Sequence, residues 1–232
     1  MNFFKIFESY IRCLKNIRYS NNRIYITDES GKKILHPTYL PMRGYEIVFK
    51  GDNNTVEIYK EKFCKNRHIK LKFLSSGNNV KVGKYLTGKW EIFSFEGNSK
   101  CEIGNNNQCN SIFIFLASNH LVIGNDCMIS NNVRFWADSH SVLDNSTMRA
   151  INEPKKPTVI GNHVWLGERV TILKNAIIPD NCIVGIASVV TKAFNEQNCL
   201  IAGNPAQIKK HNINWHGLSP VTYNSNLENI CR

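Results

Sequence analysis

The sequence has no apolar run approaching the roughly 20 residues a bilayer-crossing helix requires, so a membrane-spanning segment is not expected. It also lacks a signal-peptide core. The first twenty residues, "MNFFKIFESYIRCLKNIRYS", are broken by Lys5, Glu8, Arg12, Lys15 and Arg18, and a cytoplasmic protein is expected. There is no CxxC pair among the eight cysteines, which are dispersed rather than clustered; a disulfide framework is not expected in a chain this long. Acidic residues are few, 18 against 29 basic, leaving a net charge of +11. Such a balance favours a polyanionic partner: nucleic acid, an anionic membrane, an acidic glycan or a phosphorylated cofactor. No basic run with interleaved aromatics is present, and this counts against nucleic acid.

What is present is a repeat. In "IGNHVWLGERVTILKNAIIPDNCIVGIASVV", aliphatic residues stand at 160, 166, 172, 178, 184 and 190, every sixth position without slippage. A helix face would need apolar residues at i, i+3, i+4 and i+7. Two residues before each aliphatic lies Val164, Val170, Ala176, Cys182 or Ser188, all small or β-branched. In extended chain, i and i−2 share a face. Each hexad is therefore a short strand that presents a small and then a large residue inward, followed by a corner. Gly161, Gly167 and Gly185 come just after the large residue, where a bend is expected. Six residues suit one flat side of a coil that always turns the same way, the hexapeptide type of parallel β-helix. Cys101, Cys127 and Cys182 fall in the small inward slot, as buried hydrophobes would.

Along the chain, residues 1–20 read as an amphipathic helix with Phe3, Phe7, Tyr10, Leu14 and Ile17 on one stripe, widened by Phe4 and Ile11. That stripe would dock on the body or a neighbouring subunit, with peripheral membrane contact as the alternative. Residues 21–77 form an irregular, strand-rich region containing "TVEIY" and "HIKLKF". Residues 78–210 carry the β-helix, looser at first and strict from Ile123, and residues 211–232 form a tail. The register breaks once, between Phe135 and Ile160, where the segment 141–158 reads as a loop extruded from the coil. Long loops of this kind tend to be functional.

The candidate site residues cluster around that break and the glycine edge. His140 stands at an outward position at the mouth of the loop, between Asp138 and Asp144. A carboxylate there could hold the imidazole in one tautomer and make its other nitrogen basic. Trp165 also points outward and needs cover, either at a subunit interface or as the wall of a site with its N–H near a reacting carbonyl. Gly167 and Gly185 are 18 residues apart and should stack one coil apart, leaving backbone N–H groups open to a ligand. Ala187 and Ser188 continue that edge, and Lys192, Lys209 and Lys210 could meet phosphates further along.

"DSH" before an insertion, the hexad run from Ile160 and "IAGNPAQIKK" together resemble the hexapeptide-repeat acetyltransferases, most closely the bacterial O-acetyltransferases of capsule, lipopolysaccharide and sialic acid. The resemblance spans about residues 78–210. It implies an all-β, left-handed parallel β-helix, homotrimers, acetyl-CoA as donor, and clefts between subunits as active sites. By position it implies His140 as the catalytic histidine and Trp165 as an active-site tryptophan. It places pantetheine along Gly167, Gly185, Ala187 and Ser188, and phosphates near Lys192 and Lys209. The chain has Gly185-Ile186-Ala187-Ser188 where the family usually has Gly-Ala-Gly-Ser, a departure that narrows the thioester channel.

The chemistry implied is acetyl transfer to a hydroxyl of a cell-surface, acidic glycan, with His140 as general base and no metal. A carbonic-anhydrase-like metal site would need three histidines, and His140 and His163 have no third partner before His211. A β-helix scaffold without activity would have no use for the loop and its histidine. An amine, amino acid or antibiotic acceptor stays open, because the donor half would look the same.

Overall fold

The computed structural model describes residues 8, 11, 13–61, 66–137, 140–152 and 156–230, without the side chains of 227–230. The chain coils through parallel sheets that form three lateral faces, numbered here in chain order. Face I holds Arg23–Thr27, Thr55–Tyr59, Asn79–Val82, Lys100–Ile103, His120–Ile123, Thr158–Ile160 and Ile177–Ile178. Face II holds Gln108–Cys109, Met128–Ile129, Trp165–Leu166, Ile183–Val184 and Leu200–Gly203. Face III holds Tyr45–Phe49, Arg67–Phe73, Gly88–Glu96, Ser111–Ala117, Val133–Trp136, Thr171–Leu173 and Val189–Val190. Its seven strands, one per coil, make this a solenoid of seven turns. Face II begins only at Gln108, so the earlier coils pass between faces I and III without a second strand.

The hexad residues stack large on large. Phe135, Ile172 and Val190 are in register on face III, and Ile129, Leu166, Val184 and Ile201 on face II. All are at most 1% exposed, as are Val164, Val170, Ala176, Cys182 and Ser188 in the small slot. The core is one apolar column running from Ile24 to Ala206. The six described cysteines are free and buried, and burial pushes the thiols of Cys101 and Cys127 up to about 12.

The corners are turned differently from expectation. The left-handed residue stands two places after the glycine, or after the Pro179 or Ser130 that takes its place: Asp126, His163 and Asn181 at the I/II corner, and Asn132, Arg169 and Ala187 at the II/III corner. The glycines serve close stacking instead. A Cβ on Gly124 would lie 2.6 Å from the Gly161 carbonyl oxygen, and one on Gly161 2.7 Å from the Asp180 nitrogen. In the early coils a buried asparagine column ties the layers. The Asn54 side-chain oxygen accepts from the Asn78 N–H at 3.0 Å, and that of Asn78 accepts from Ser99 N–H at 2.9 Å and the Ser94 hydroxyl at 2.6 Å.

Three segments decorate the coil. Of the N-terminal helix expected over 1–20, Phe3, Phe4, Phe7 and Tyr10 lie outside the described residues. Ile11, Leu14 and Ile17 are exposed, not docked. The residues that dock are Cys13 and Asn16. The Asn16 amide donates to Ile47 O at 3.0 Å and accepts from Phe49 N–H at 2.9 Å, so a polar group, invisible to an apolar-stripe argument, pairs the first face III strand. The strand Lys33–His36 runs antiparallel on Arg23–Thr27. At the other end, Ala206–Lys210 folds back antiparallel on Leu200–Gly203 across the cis Asn204–Pro205 bond. The chain then returns along face II, with Ile213 N–H bonded to Asn198 O at 2.8 Å, and ends in the helix Pro220–Ile230.

Candidate active site

The extruded segment is a hairpin where it is described. Ile151 N–H bonds Val142 O, Asp144 N–H bonds Arg149 O, and Leu143 bridges Ala150. His140 sits exposed at its base, at the III/I corner, and its carbonyl accepts from the Asn152 amide at 3.0 Å. Asp138 lies outside the described residues. Asp144 spends its carboxylate on the hairpin tip: Oδ1 accepts from the Ser146 hydroxyl at 2.5 Å and the Thr147 N–H at 2.8 Å. Those bonds, the Ser146 hydroxyl first, hold its carboxyl down at about 2. The structure therefore gives Asp144 a turn to hold together, four residues from the imidazole it was expected to orient.

The II/III corner holds the other candidates. Gly167 and Gly185 do stack one coil apart, but their own N–H groups are taken, by Val184 O at 2.8 Å and Ile201 O at 2.9 Å. The open donors are the next residues along. At the I/II corner the post-glycine N–H is capped from the coil above: Asn125 N–H by the Asn162 side chain, Asn162 N–H by Asp180. At the II/III corner, the equivalent positions are Glu168 and Ile186, and among the described residues nothing accepts from their N–H groups. A carbonyl-bearing chain laid along this edge would find donors there. Ala187 is exposed in a left-handed conformation, while the Ser188 hydroxyl is buried and accepts from Gly203 N–H at 3.0 Å. Ser188 thus lends the edge its backbone, not its hydroxyl.

Trp165 flanks this same edge. Its indole N–H donates to Ser130 Oγ at 3.4 Å. Its cover comes from the chain itself, from a residue that sequence reasoning missed. Trp215 in the returning tail lies 6.2 Å from Trp165, stacks on His163 at 4.2 Å, and donates its N–H to His163 O at 2.8 Å. A lone tryptophan in a polar tail was the available signal. Lys192 and Lys209 gather at the C-terminal end of the coil; Lys192 Nζ donates to Gln207 of the last hairpin at 3.2 Å, and Lys209 lies on the same strand as Gln207. No group of three or more His, Cys, Asp or Glu is placed to hold a metal among the described residues. None of the described helices is long and apolar enough to cross a membrane.

Trp165 and the glycine edge are thus together, but His140 is not with them. Face III lies between the two corners, and on this coil the strand Val133–Trp136 separates them.

Comparison with known proteins gives this geometry relatives. A segment of 55 residues is 53% identical to WbbJ of Escherichia coli (strain K12), a protein named as a lipopolysaccharide biosynthesis O-acetyl transferase; it spans 23% of this chain and 28% of WbbJ. The crystal structure of the polysialic acid O-acetyltransferase OatWY matches at 27% identity over 91% of this chain and 98% of its own, with a TM-score of 0.54. The relatives of this chain include hexapeptide-repeat O-acetyltransferases, and acetyltransferases named for macrolides and chloramphenicol match a segment of similar length. Among these O-acetyltransferases the fold also matches the crystal structure of the polySia-specific acetyltransferase NeuO, at a TM-score of 0.67, 24% identity, and coverage of 90% and 95%. Its solenoid is the left-handed parallel β-helix of that group. The chain spans under a third of the length of the curated relatives it matches in sequence. No family model matches it.

Proposed function

We propose that this protein is an acetyl-CoA-dependent O-acetyltransferase that modifies a hydroxyl of an acidic cell-surface glycan, working in the cytoplasm as a homotrimer. The observation that carries the reading is the II/III edge, where two stacked glycines, two N–H groups unclaimed among the described residues and Trp165 lie on a fold matched over nearly its whole length by a polysialic acid O-acetyltransferase. Acetyl-CoA would extend along this edge toward Lys192 and Lys209, and a net charge of +11 suits both a phosphorylated donor and an acidic acceptor.

His140 of one copy, brought to the donor edge of a neighbouring copy, takes the proton of the acceptor hydroxyl as its oxygen attacks the thioester carbonyl. The Trp165 indole N–H or the Ile186 N–H would donate to the tetrahedral oxyanion. The carbon–sulfur bond then breaks, the acetyl group stays on the sugar oxygen, and the proton passes from His140 to the coenzyme A sulfur.

The test is thiol release from acetyl-CoA with polysialic acid, O-antigen oligosaccharides, a free amino acid and an aminoglycan as acceptors. A glycan carrying hydroxyls should be acetylated, and His140→Ala should lower the rate by roughly two to four orders of magnitude. Near-wild-type transfer by His140→Ala would remove the assigned base. Transfer to amines alone would replace the acceptor class.

A further inference from the structure

We propose that the trough between face II and the returning tail is an acceptor subsite, and that it holds a neutral pyranose unit of the glycan. The proposal rests on the reading above, in which a glycan hydroxyl meets the thioester beside Trp165. It adds which kind of sugar lies next to that hydroxyl and which residues select it.

The first observation is position. Face II strands turn one side chain outward, and Gln108, Met128 and Trp165 stand in register in successive coils. Neighbouring strands are about 4.8 Å apart, so Gln108 lies two coils, or about 10 Å, from Trp165. Gln108 and Met128 line a trough of about 460 Å³ whose opposite wall is the tail from Trp215 to Leu218. That volume falls within the roughly 300–1,000 Å³ of small-ligand sites. The trough ends at His163, two residues from Trp165, and runs from there toward the N-terminal coils. The donor edge leaves Trp165 the other way, through Gly185 toward Lys192 and Lys209. A donor and an acceptor laid along these two paths meet end to end at Trp165.

The second observation is chemistry. A sugar offers hydroxyls that both donate and accept, and a ring face of C–H groups. The trough has a counterpart for each. The Asn106 amide donates to Asp126 Oδ1 at 3.1 Å. Among the described residues this leaves Asn106 Oδ1, Asp126 Oδ2 and the whole Gln108 side-chain amide uncommitted, two acceptors beside a group that also donates. Trp215 supplies the apolar wall. It is half-buried and fixed three ways: stacked on His163 at 4.2 Å, bonded through its N–H to His163 O at 2.8 Å, and set 6.2 Å from Trp165. A wall that is already ordered loses little freedom when a ligand settles on it.

The third observation is charge. The chain carries +11 overall, yet no lysine or arginine is among the described residues that line the trough, and the one side chain of fixed charge there is Asp126. A sugar carboxylate or phosphate in the trough would face that like charge with no cation beside it. A neutral ring meets no such opposition. The acidic units of the acceptor therefore lie outside the trough, and the glycan joins neutral and acidic sugars in one chain rather than repeating an acidic one.

Saturation-transfer NMR on the full chain without acetyl-CoA tests the subsite apart from catalysis. The methyl glycosides of galactose, glucose and N-acetylglucosamine are the neutral probes, and that of sialic acid is the acidic one. At least one neutral probe should bind with a Kd at least fivefold below that of the sialoside. Trp215→Ala and Gln108→Ala should each weaken it at least fivefold; Gln108 is exposed and keeps the test alive if Trp215→Ala loses its fold. Asp126→Asn keeps a residue type that tolerates the left-handed corner, and should narrow the gap between the probes to within twofold. In acetyl transfer, Trp215→Ala and Gln108→Ala should raise the acceptor KM at least fivefold and leave the acetyl-CoA KM within twofold, whereas a merely structural loss would move both. A wild type that binds no neutral probe or prefers the sialoside overturns the proposal, as do neutral binding that neither variant weakens and a gap that Asp126→Asn leaves unchanged. Neutral binding that both variants lose, in a protein that acetylates no glycan, counts against the proposed function and for the subsite. Glycan transfer with an acceptor KM that neither variant moves does the reverse.

Discussion

Ala187 is the residue at which the fold and the donor edge can be tested together. Its φ is +56°, a left-handed conformation that costs an ordinary L-residue roughly 1–2 kcal/mol. Its methyl group is exposed at the II/III corner, so replacing it with glycine removes no packing. The N–H bond to Glu168 O, 2.8 Å long, is a backbone contact and is kept. Against the relief stands the added freedom of glycine in the unfolded chain, about 0.4–1 kcal/mol. Ala187→Gly should therefore stabilise by about 0.5–1 kcal/mol, or about 1–4 °C in midpoint for a chain of this size. Differential scanning calorimetry at fixed protein concentration would read the shift. Asn181→Gly is the control: Asn181 shares the left-handed geometry, with φ +59°, but asparagine tolerates it and its side chain bonds His163 at 3.2 Å. That variant should gain nothing. If Ala187→Gly lowers the midpoint, the account of how these corners are turned is wrong. Calorimetric titration with coenzyme A on the same protein should show affinity equal or better, since the substitution only widens the edge.

Two further predictions concern the polar interior and the hairpin. Asn78→Ala strands the Ser99 N–H and removes the nearer acceptor of the Ser94 hydroxyl in a layer that is 1% exposed or less, at about 1–3 kcal/mol per orphaned group; denaturant unfolding should show a loss of about 2–4 kcal/mol, and a loss under 1 would refute the column's role. Because the Asp144 carboxyl is held down at about 2, its grip on the hairpin tip should be complete above about pH 4 and fade as pH falls from there toward 2. The amide-exchange protection of Ser146 and Thr147 should fall across that window in the wild type, and be low at all pH values in Asp144→Ala. Protection that ignores pH in the wild type would sink the assignment.

Much of this architecture is written in the hexads, because a period of six admits one geometry. Each aliphatic from Ile160 to Val190 points inward as its spacing requires, and the small slot before it does too. The early coils are harder to read, since "HIKLKF" alternates as any half-buried strand would and says nothing of a missing face II. The corners escape a glycine-based reading because the strained residue is Asp126, His163, Arg169 or Ala187, types with no special claim on positive φ beyond that of aspartate and histidine. At the site, the glycine edge is legible from an 18-residue interval. Which N–H groups it leaves open is not, because that depends on whether the next coil supplies an Asn or Asp side chain: Asn162 and Asp180 do so at one corner, and among the described residues nothing does so for Ile186 at the other. Trp215 reaches Trp165 across 50 residues of chain, and no local pattern encodes such a contact.

The reversed strands at the two ends of the coil have a consequence for solubility. A solenoid of parallel strands ends in open sheet edges, and an open edge is a template on which another molecule can polymerise. Here the short antiparallel strand Lys33–His36 closes one end of face I. Asn16 pairs the first strand of face III with its side chain. Ala206–Lys210, carrying two lysines, closes the last strand of face II. Growth along the coil axis into fibres is thereby discouraged at these edges, and the flanks are left as the place where one copy can recognise another.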